Sequence, residues 1–227
     1  MVVLTLIGMF WRVAGQAADT AVVLPSPALD APKPALPGPQ SIVLAGGCFW
    51  GVQLVFQHVQ GVSRAISGYA GGSKETALYE VVSSGRTGHA ESVEVTFDPA
   101  HISLGRILQV YFSVAHDPTQ LNRQGPDFGP QYRSVIFYRD DEQKKIAEAY
   151  IAQLDKAGVF DRPIVTQLEP LTGFYPAEAY HQDYATLHPS SPYIAYNDLP
   201  KAQNLKQRFA DLYVEKPVLV SAANSSD

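Results

Sequence analysis

Sulfur is scarce in this chain of 227 residues, which has one cysteine, Cys48, and two methionines, Met1 and Met9. A lone cysteine cannot close an internal disulfide, so redox chemistry at Cys48 has to end on a thiol from outside. Both methionines stand at the extreme N-terminus. A chain shortened there would hold no methionine, which suits an oxidising environment. Positive charge is also in deficit. Lys and Arg number 17 against 22 Asp and Glu, a net charge of −5, and no basic stripe alternates with aromatics, so nucleic acid is not an expected partner. Long hydrophobic runs are missing as well. Val2 to Trp11 is apolar but shorter than the roughly 20 residues that a membrane-spanning helix needs, so no membrane anchor is expected. The six histidines, His58, His89, His101, His116, His181 and His188, show no ligand spacing with Cys48, which argues against a metal site.

What is present divides the chain. The apolar start followed by the small residues Ala14 and Ala17 predicts an export signal over 1–20 and a periplasmic protein. Pro25, Pro27, Pro32, Pro34, Pro37 and Pro39 deny hydrogen bonds to helix and sheet, so 21–40 reads as an extended tether. One folded domain is expected over 41–214, with a flexible tail over 215–227. Loss of the signal would also remove Trp11 and leave Trp50 as the only indole.

Within the domain, the apolar run Ser41 to Ala45 ends at Gly46-Gly47, and Val52, Val55, Phe56 and Val59 follow at helical spacing. The pattern is strand, tight turn, helix. Val93, Val95 and Phe97 alternate with Glu94 and Thr96 as a half-buried strand. Ser103 is placed to cap a helix through Leu104, Ile107, Leu108, Tyr111, Phe112 and Ala115. Arg133 to Arg139 reads as a strand, Asp140 as the cap of a helix that Gly158 stops, and Ile164 to Leu168 as another strand. Past Glu169 the frequent prolines predict coil with short helices near Ala177 to Leu187 and Pro200 to Leu212. Strands and helices mixed without a strict βαβ rhythm predict a two-layer α+β domain with a long C-terminal coil.

The chemistry centres on Cys48. Two glycines before it and a helix after it place the sulfur at a helix N-terminus, where free N–H groups and the dipole are expected to favour a thiolate. Phe49 and Trp50 offer an apolar wall beside it, suited to an S-methyl group. Glu91 is in phase with Val93, Val95 and Phe97, so it faces the core, and a carboxyl group starved of water becomes a proton donor near neutral pH. His89 is out of phase and reads as structural. A cysteine–histidine hydrolase, pairing Cys48 with His89, His116 or His181, is the rival reading.

Taken in order, Gly46-Gly47-Cys48-Phe49-Trp50-Gly51, Gly68-Tyr69-Ala70-Gly71-Gly72, Thr87-Gly88-His89-Ala90-Glu91, His116-Asp117-Pro118, Gly129-Pro130-Gln131-Tyr132-Arg133-Ser134 and Ala177-Glu178-Ala179-Tyr180-His181-Gln182 resemble the pattern of the peptide methionine sulfoxide reductase A family. The resemblance implies a ferredoxin-like α/β sandwich and reduction of the S epimer of methionine sulfoxide, free or in oxidised proteins, by a monomer with no bound cofactor. It makes Cys48 the nucleophile, Glu91 the proton donor, Tyr79 and Tyr132 donors to the sulfoxide oxygen, Phe49 and Trp50 the methyl pocket, and Asp127 a site-shaping group. Many relatives carry further cysteines in a C-terminal tail, and this chain has none there. The resulting sulfenic acid therefore requires an external reductant, a thioredoxin-like or glutaredoxin-like protein or a small thiol.

Overall fold

The computed structural model describes residues 24–31 and 38–223, so the stretch expected to be an export signal lies outside the described residues. In chain order the elements are β1 (Gln40–Gly46), α1 (Phe49–Gln57), β2 (Val62–Ala70), α2 (Tyr79–Val82), β3 (Ala90–Phe97), α3 (Leu104–Val110), the short strands β4 (Arg123–Gln124) and β5 (Asp127–Phe128), β6 (Ser134–Tyr138), α4 (Asp141–Ala157), β7 (Gln167–Pro170), β8 (Phe174–Pro176), α5 (Tyr184–Leu187) and α6 (Leu199–Arg208). Six strands form one sheet in the order β7-β6-β1-β3-β2-β8. Every pairing is antiparallel except that of β6 with β7. The architecture is mixed α/β.

Strand β1 is apolar at successive positions because both of its faces are covered. Ile42 and Leu44 join Val52, Val55 and Phe56 of α1, Ile107 and Leu108 of α3, and Ile146, Tyr150 and Leu154 of α4 in the main core. Val43 and Ala45 face the other way, with Ala70, Ala90, Val135 and Phe137, under Leu171 and Phe174. The caps sit where the residue types ask for them. Ser103 Oγ accepts from the Arg106 N–H at 3.2 Å, the Asp140 carboxylate accepts from the Gln143 N–H at 2.8 Å, and Gly158 ends α4 at φ +60°.

Several boundaries differ from expectation. The strand placed at Ile164 to Leu168 lies at Gln167–Pro170, and neither β2 nor β8 was legible. The proline-rich stretch is not wholly a tether, since Leu24 is 1% exposed. Its carbonyl accepts from Gln109 Nε2 at 2.5 Å, and the Pro25 carbonyl accepts from the Tyr150 hydroxyl at 2.9 Å. The tail past Val214 is likewise held, because the Val220 and Ser221 N–H groups donate to the Asp183 carboxylate at 3.0 and 2.9 Å.

Candidate active site

The turn from β1 into α1 puts Cys48 at the N-cap of α1. Gly47 has φ +89°, a left-handed conformation that glycine adopts without steric cost. The neighbours explain both glycines. A Cβ on Gly46 would sit 2.9 Å from the His116 ring, and one on Gly47 would sit 2.5 Å from Gln124 Cβ. The glycine pair therefore admits side chains of the protein itself, where a close approach to a ligand was expected. His116 is committed to structure. Its Nδ1 and Nε2 lie 3.1 Å from the Tyr111 carbonyl and 2.7 Å from Ser134 Oγ, and burial holds its pKa down at about 3.

Glu91 comes to the same helix start from β3. It is 2% exposed, as its phase in the strand predicted, and its Oε2 accepts from the Phe49 N–H at 3.1 Å. Loss of hydration pushes its pKa up to about 8, against the pull of the Phe49 bond and with a further push from Asp127 and Asp198. His89 is structural, as read. Its Nδ1 accepts from the Gly72 N–H at 3.2 Å, while Nε2 meets the Ser73 carbonyl at 2.9 Å.

The electrostatics of Cys48 correct the expected thiolate. Its thiol is pushed well above the usual range, first by burial and then by the charges of Glu91 and Asp198; the Trp50 backbone N–H and the Lys201 ammonium pull the other way but do not prevail. The residue is half-buried, its surroundings hydrate an anion poorly, and the first N–H of the helix, that of Phe49, is bonded to Glu91. A helix N-terminus contributes a modest stabilisation of charge. Desolvation together with two nearby carboxylates outweighs it here.

The remaining predicted residues converge on this point. Burial first, then the charge of Glu91, raises the phenols of Tyr79 and Tyr132, both of which also feel Cys48, so both remain hydroxyl donors near neutral pH. Phe49 is buried with its ring centroid 5.0 Å from that of His181, and the Tyr79 ring lies 4.5 Å from His181 on another side. Trp50 stacks on Tyr184 at 4.1 Å and meets the edge of Tyr193 at 6.0 Å. Asp127 accepts a short hydrogen bond from the Tyr193 hydroxyl.

Sequence reasoning missed Tyr193, Asp198 and Lys201. Asp198 is fully buried, and Lys201 Nζ lies 3.1 Å from its Oδ1. The pair packs on Gly51, where a Cβ would come within 2.6 Å of that ammonium. The signal was the i, i+3 spacing of Asp198 and Lys201 across Pro200 at the start of α6, although nothing in that spacing points to Cys48.

A donor carboxyl group, two phenols and an apolar wall around one thiol suit the transfer of an oxygen atom to sulfur. Residues 40–213 match the family model described as peptide methionine sulfoxide reductase. The chain is 64% identical over 191 residues to peptide methionine sulfoxide reductase MsrA 2 of Mesorhizobium japonicum, covering 84% of this chain and 98% of that one. It is 47% identical over 191 residues to the protein of the same name from Synechocystis sp., covering 83% and 89%. Among solved structures it resembles reduced Mxr1 from Saccharomyces cerevisiae at a TM-score of 0.60, with 34% identity over 67% of this chain and 87% of that one. It also resembles methionine sulfoxide reductase A of Corynebacterium diphtheriae at a TM-score of 0.58, with 35% identity over 69% and 78%.

Proposed function

The chain belongs to the peptide methionine sulfoxide reductase family, and from that premise we propose how its own residues reduce methionine sulfoxide. The reacting form is a Cys48 thiolate beside a protonated Glu91. The charge of Glu91 stands next to burial among the causes that raise the thiol, so a proton on Glu91 eases loss of the proton on Cys48. The thiolate attacks the sulfoxide sulfur, and the sulfur–oxygen electron pair moves onto oxygen as Glu91 delivers its proton. Tyr79 and Tyr132 hold that oxygen by hydrogen bonds. The hydroxyl passes to the cysteine sulfur, methionine leaves as the thioether, and Cys48 remains as sulfenic acid. One external thiol condenses with it to a mixed disulfide and water. A second thiol releases Cys48 and carries away the disulfide.

The observation that carries this reading is the buried carboxyl group of Glu91, bonded to the first N–H of the helix that Cys48 caps. Phe49 and Trp50 supply the methyl pocket, and Asp127 with Tyr193 closes one side of it. We assign the S epimer as substrate, a thioredoxin-like or glutaredoxin-like protein or small thiol as reductant, a monomer as the working form, and the periplasm as the place of action. The connection β1-α1-β2-β3-α3-β6, with β6, β1, β3 and β2 adjacent in that order, supports a ferredoxin-like frame. The test is chiral chromatography of a dabsylated methionine sulfoxide mixture after incubation with protein and dithiothreitol. Selective loss of the S epimer is expected, with none for Cys48→Ser. Turnover by that variant sinks the mechanism, and N-terminal sequencing of the exported protein checks its location.

A further inference from the structure

Among the described residues most of the large hydrophobic side chains left exposed lie on segments of the site, Leu29 on the N-terminal arm being apart from them and Leu187 ending the helix of Tyr184. Leu78, Val81, Leu121, Phe128, Tyr180 and Tyr196 are exposed, and every one belongs to a segment that also carries a site residue or leads into one. Leu78 precedes Tyr79, Tyr180 precedes His181, Phe128 follows Asp127, and Tyr196 lies between Tyr193 and Asp198.

These segments make two walls. On one, the Tyr79 N–H donates to Glu178 at 2.9 Å, and the rings of Tyr79 and Tyr180 lie 4.5 and 4.2 Å from that of His181, which ties Leu78 and Tyr180 together. On the other, the hydrogen bond from Tyr193 to Asp127 ties Tyr196 to Phe128, and the Arg123 guanidinium lies 4.4 Å over the Phe128 ring. Trp50 spans the two, since it touches both His181 and Tyr193. Tyr79 on one wall and Tyr193 on the other both lie close enough to Cys48 to feel its charge, so the two walls flank the reacting sulfur. On these walls Phe128, Tyr180 and Tyr196 are 66%, 62% and 67% exposed. Exposed apolar groups gathered in one place mark a binding surface.

Resting on the reductase reading above, we propose that this rim selects methionine sulfoxide embedded in an apolar stretch of polypeptide, the kind of segment that a damaged protein releases from its core. Methionines occupy apolar surroundings, and the sulfoxide is polar enough to disrupt them. The residues flanking an oxidised core methionine are therefore apolar when it becomes accessible. Free methionine sulfoxide carries an ammonium and a carboxylate in place of those flanks and leaves the rim unused. Contacts remote from the reacting sulfur contribute to kcat/KM because they persist in the transition state.

The test compares three substrates with dithiothreitol as reductant: free methionine sulfoxide, a blocked peptide with Phe and Leu beside the sulfoxide, and the same peptide with Ser in both places. The expected kcat/KM for the apolar peptide is roughly ten-fold above that for the serine peptide, the scale of a small hydrophobic contact. In the double variant Leu78→Ser, Phe128→Ser that ratio falls toward one while free methionine sulfoxide turns over as before, which also confirms the fold. Equal rates on both peptides overturn the proposal. So does a double variant whose only defect is a raised KM for a thioredoxin-like protein reductant, or a wild-type dimer in sedimentation that the double variant abolishes. No turnover of any of the three substrates refutes the reductase reading itself.

Discussion

Glu91 has two opposed obligations. To donate a proton it must hold one, and the pocket arranges this by denying water to the carboxylate, which raises its pKa to about 8. Because Cys48 ionises only above that range, the form with a Cys48 thiolate beside a protonated Glu91 grows as pH rises toward about 8. The kcat/KM measured against pH is therefore expected to climb to that point and then level off, loss of the Glu91 proton offsetting the gain in thiolate. Glu91→Gln cannot donate, and its turnover is expected to drop by about a hundred-fold or more, the usual worth of a positioned acid. The same change removes a negative charge beside Cys48, so the pH midpoint for alkylation of Cys48 by iodoacetamide moves down. A slow variant whose alkylation midpoint is unmoved or higher breaks the coupling between the two groups. Stability carries an independent sign. With the folded pKa raised above the unfolded value of about 4.5, Glu91 contributes stability fully below that value and loses it as pH climbs to about 8. Glu91→Gln is thus expected to melt higher than wild type at pH 9 and close to it at pH 5. At about 1.4 kcal/mol for each pKa unit, the gain is a few kcal/mol at most, and calorimetry at the two pH values checks it. Cys48 and Glu91 were legible in the sequence because local pattern decides them, one by its turn and the other by its strand phase. The assignment of Tyr79, Tyr132 and Asp127 came from resemblance alone, because they reach the site from separate loops. The direction of the Cys48 shift was illegible, because it depends on Asp198, far along the chain, and on burial.

Elements with a polar–apolar rhythm or a cap were readable. So were β1 and β6, by unbroken apolar runs, but β2 and β8 were not. Strand β2 was missed because its last six residues, Ser67 and Gly68 among them, are all buried, so no alternation marks its faces. Strand β8 is short and lies at a sheet edge beside prolines, where no periodicity can develop. The segment from Glu178 to Leu187 presents a subtler case. Asp183 within it is left-handed, with φ +58°, and 1% exposed. It accepts from Gln57 Nε2 at 2.6 Å as well as from Val220 and Ser221. Its own N–H donates to Gln53 Oε1 at 2.9 Å. One carboxylate thus joins α1, the segment bearing His181 and Tyr184, and the C-terminal tail. Asp183→Asn tolerates the left-handed backbone but turns a donor toward donors. The expected loss is about 1–3 kcal/mol, with faster hydrogen exchange at Val220 and Ser221. Unchanged exchange there would show that the tail is held by something else.

At the scale of the molecule, the unit that folds is longer than the unit that matches the family. The matched stretch runs over 40–213, yet bound chain lies beyond both of its ends. Before it, the Asp30 carboxylate accepts from Ser103 Oγ at 2.5 Å and from the Gly105 N–H at 2.8 Å, so it serves the N-terminus of α3 beside the Ser103 cap. Gln153 of α4 donates to the Ser26 carbonyl at 3.0 Å and accepts from the Ala28 N–H at 2.8 Å. Leu24 is the apolar anchor of this arm and packs in the main core. The arm therefore ties α3 to α4 by closing the seam between them, and none of these contacts involves a residue of the active site. Stability and catalysis should separate accordingly. Truncating a buried leucine to alanine costs about 2–5 kcal/mol when the rest of the structure stays in place. An arm can lift away instead, which limits the cost to its docking free energy and puts Leu24→Ala at the lower end of that range. A domain of this size loses about 2–4 °C of melting temperature for each kcal/mol. Leu24→Ala is expected to lower Tm by at least about 4 °C with kcat/KM on dabsylated methionine sulfoxide unchanged, and deletion of residues 1–31 by more, because the Asp30 bonds go too. A deletion that melts with the full chain reduces the arm to a passive tether, whereas one that loses activity at temperatures well below its melting point places the arm in catalysis and refutes the separation.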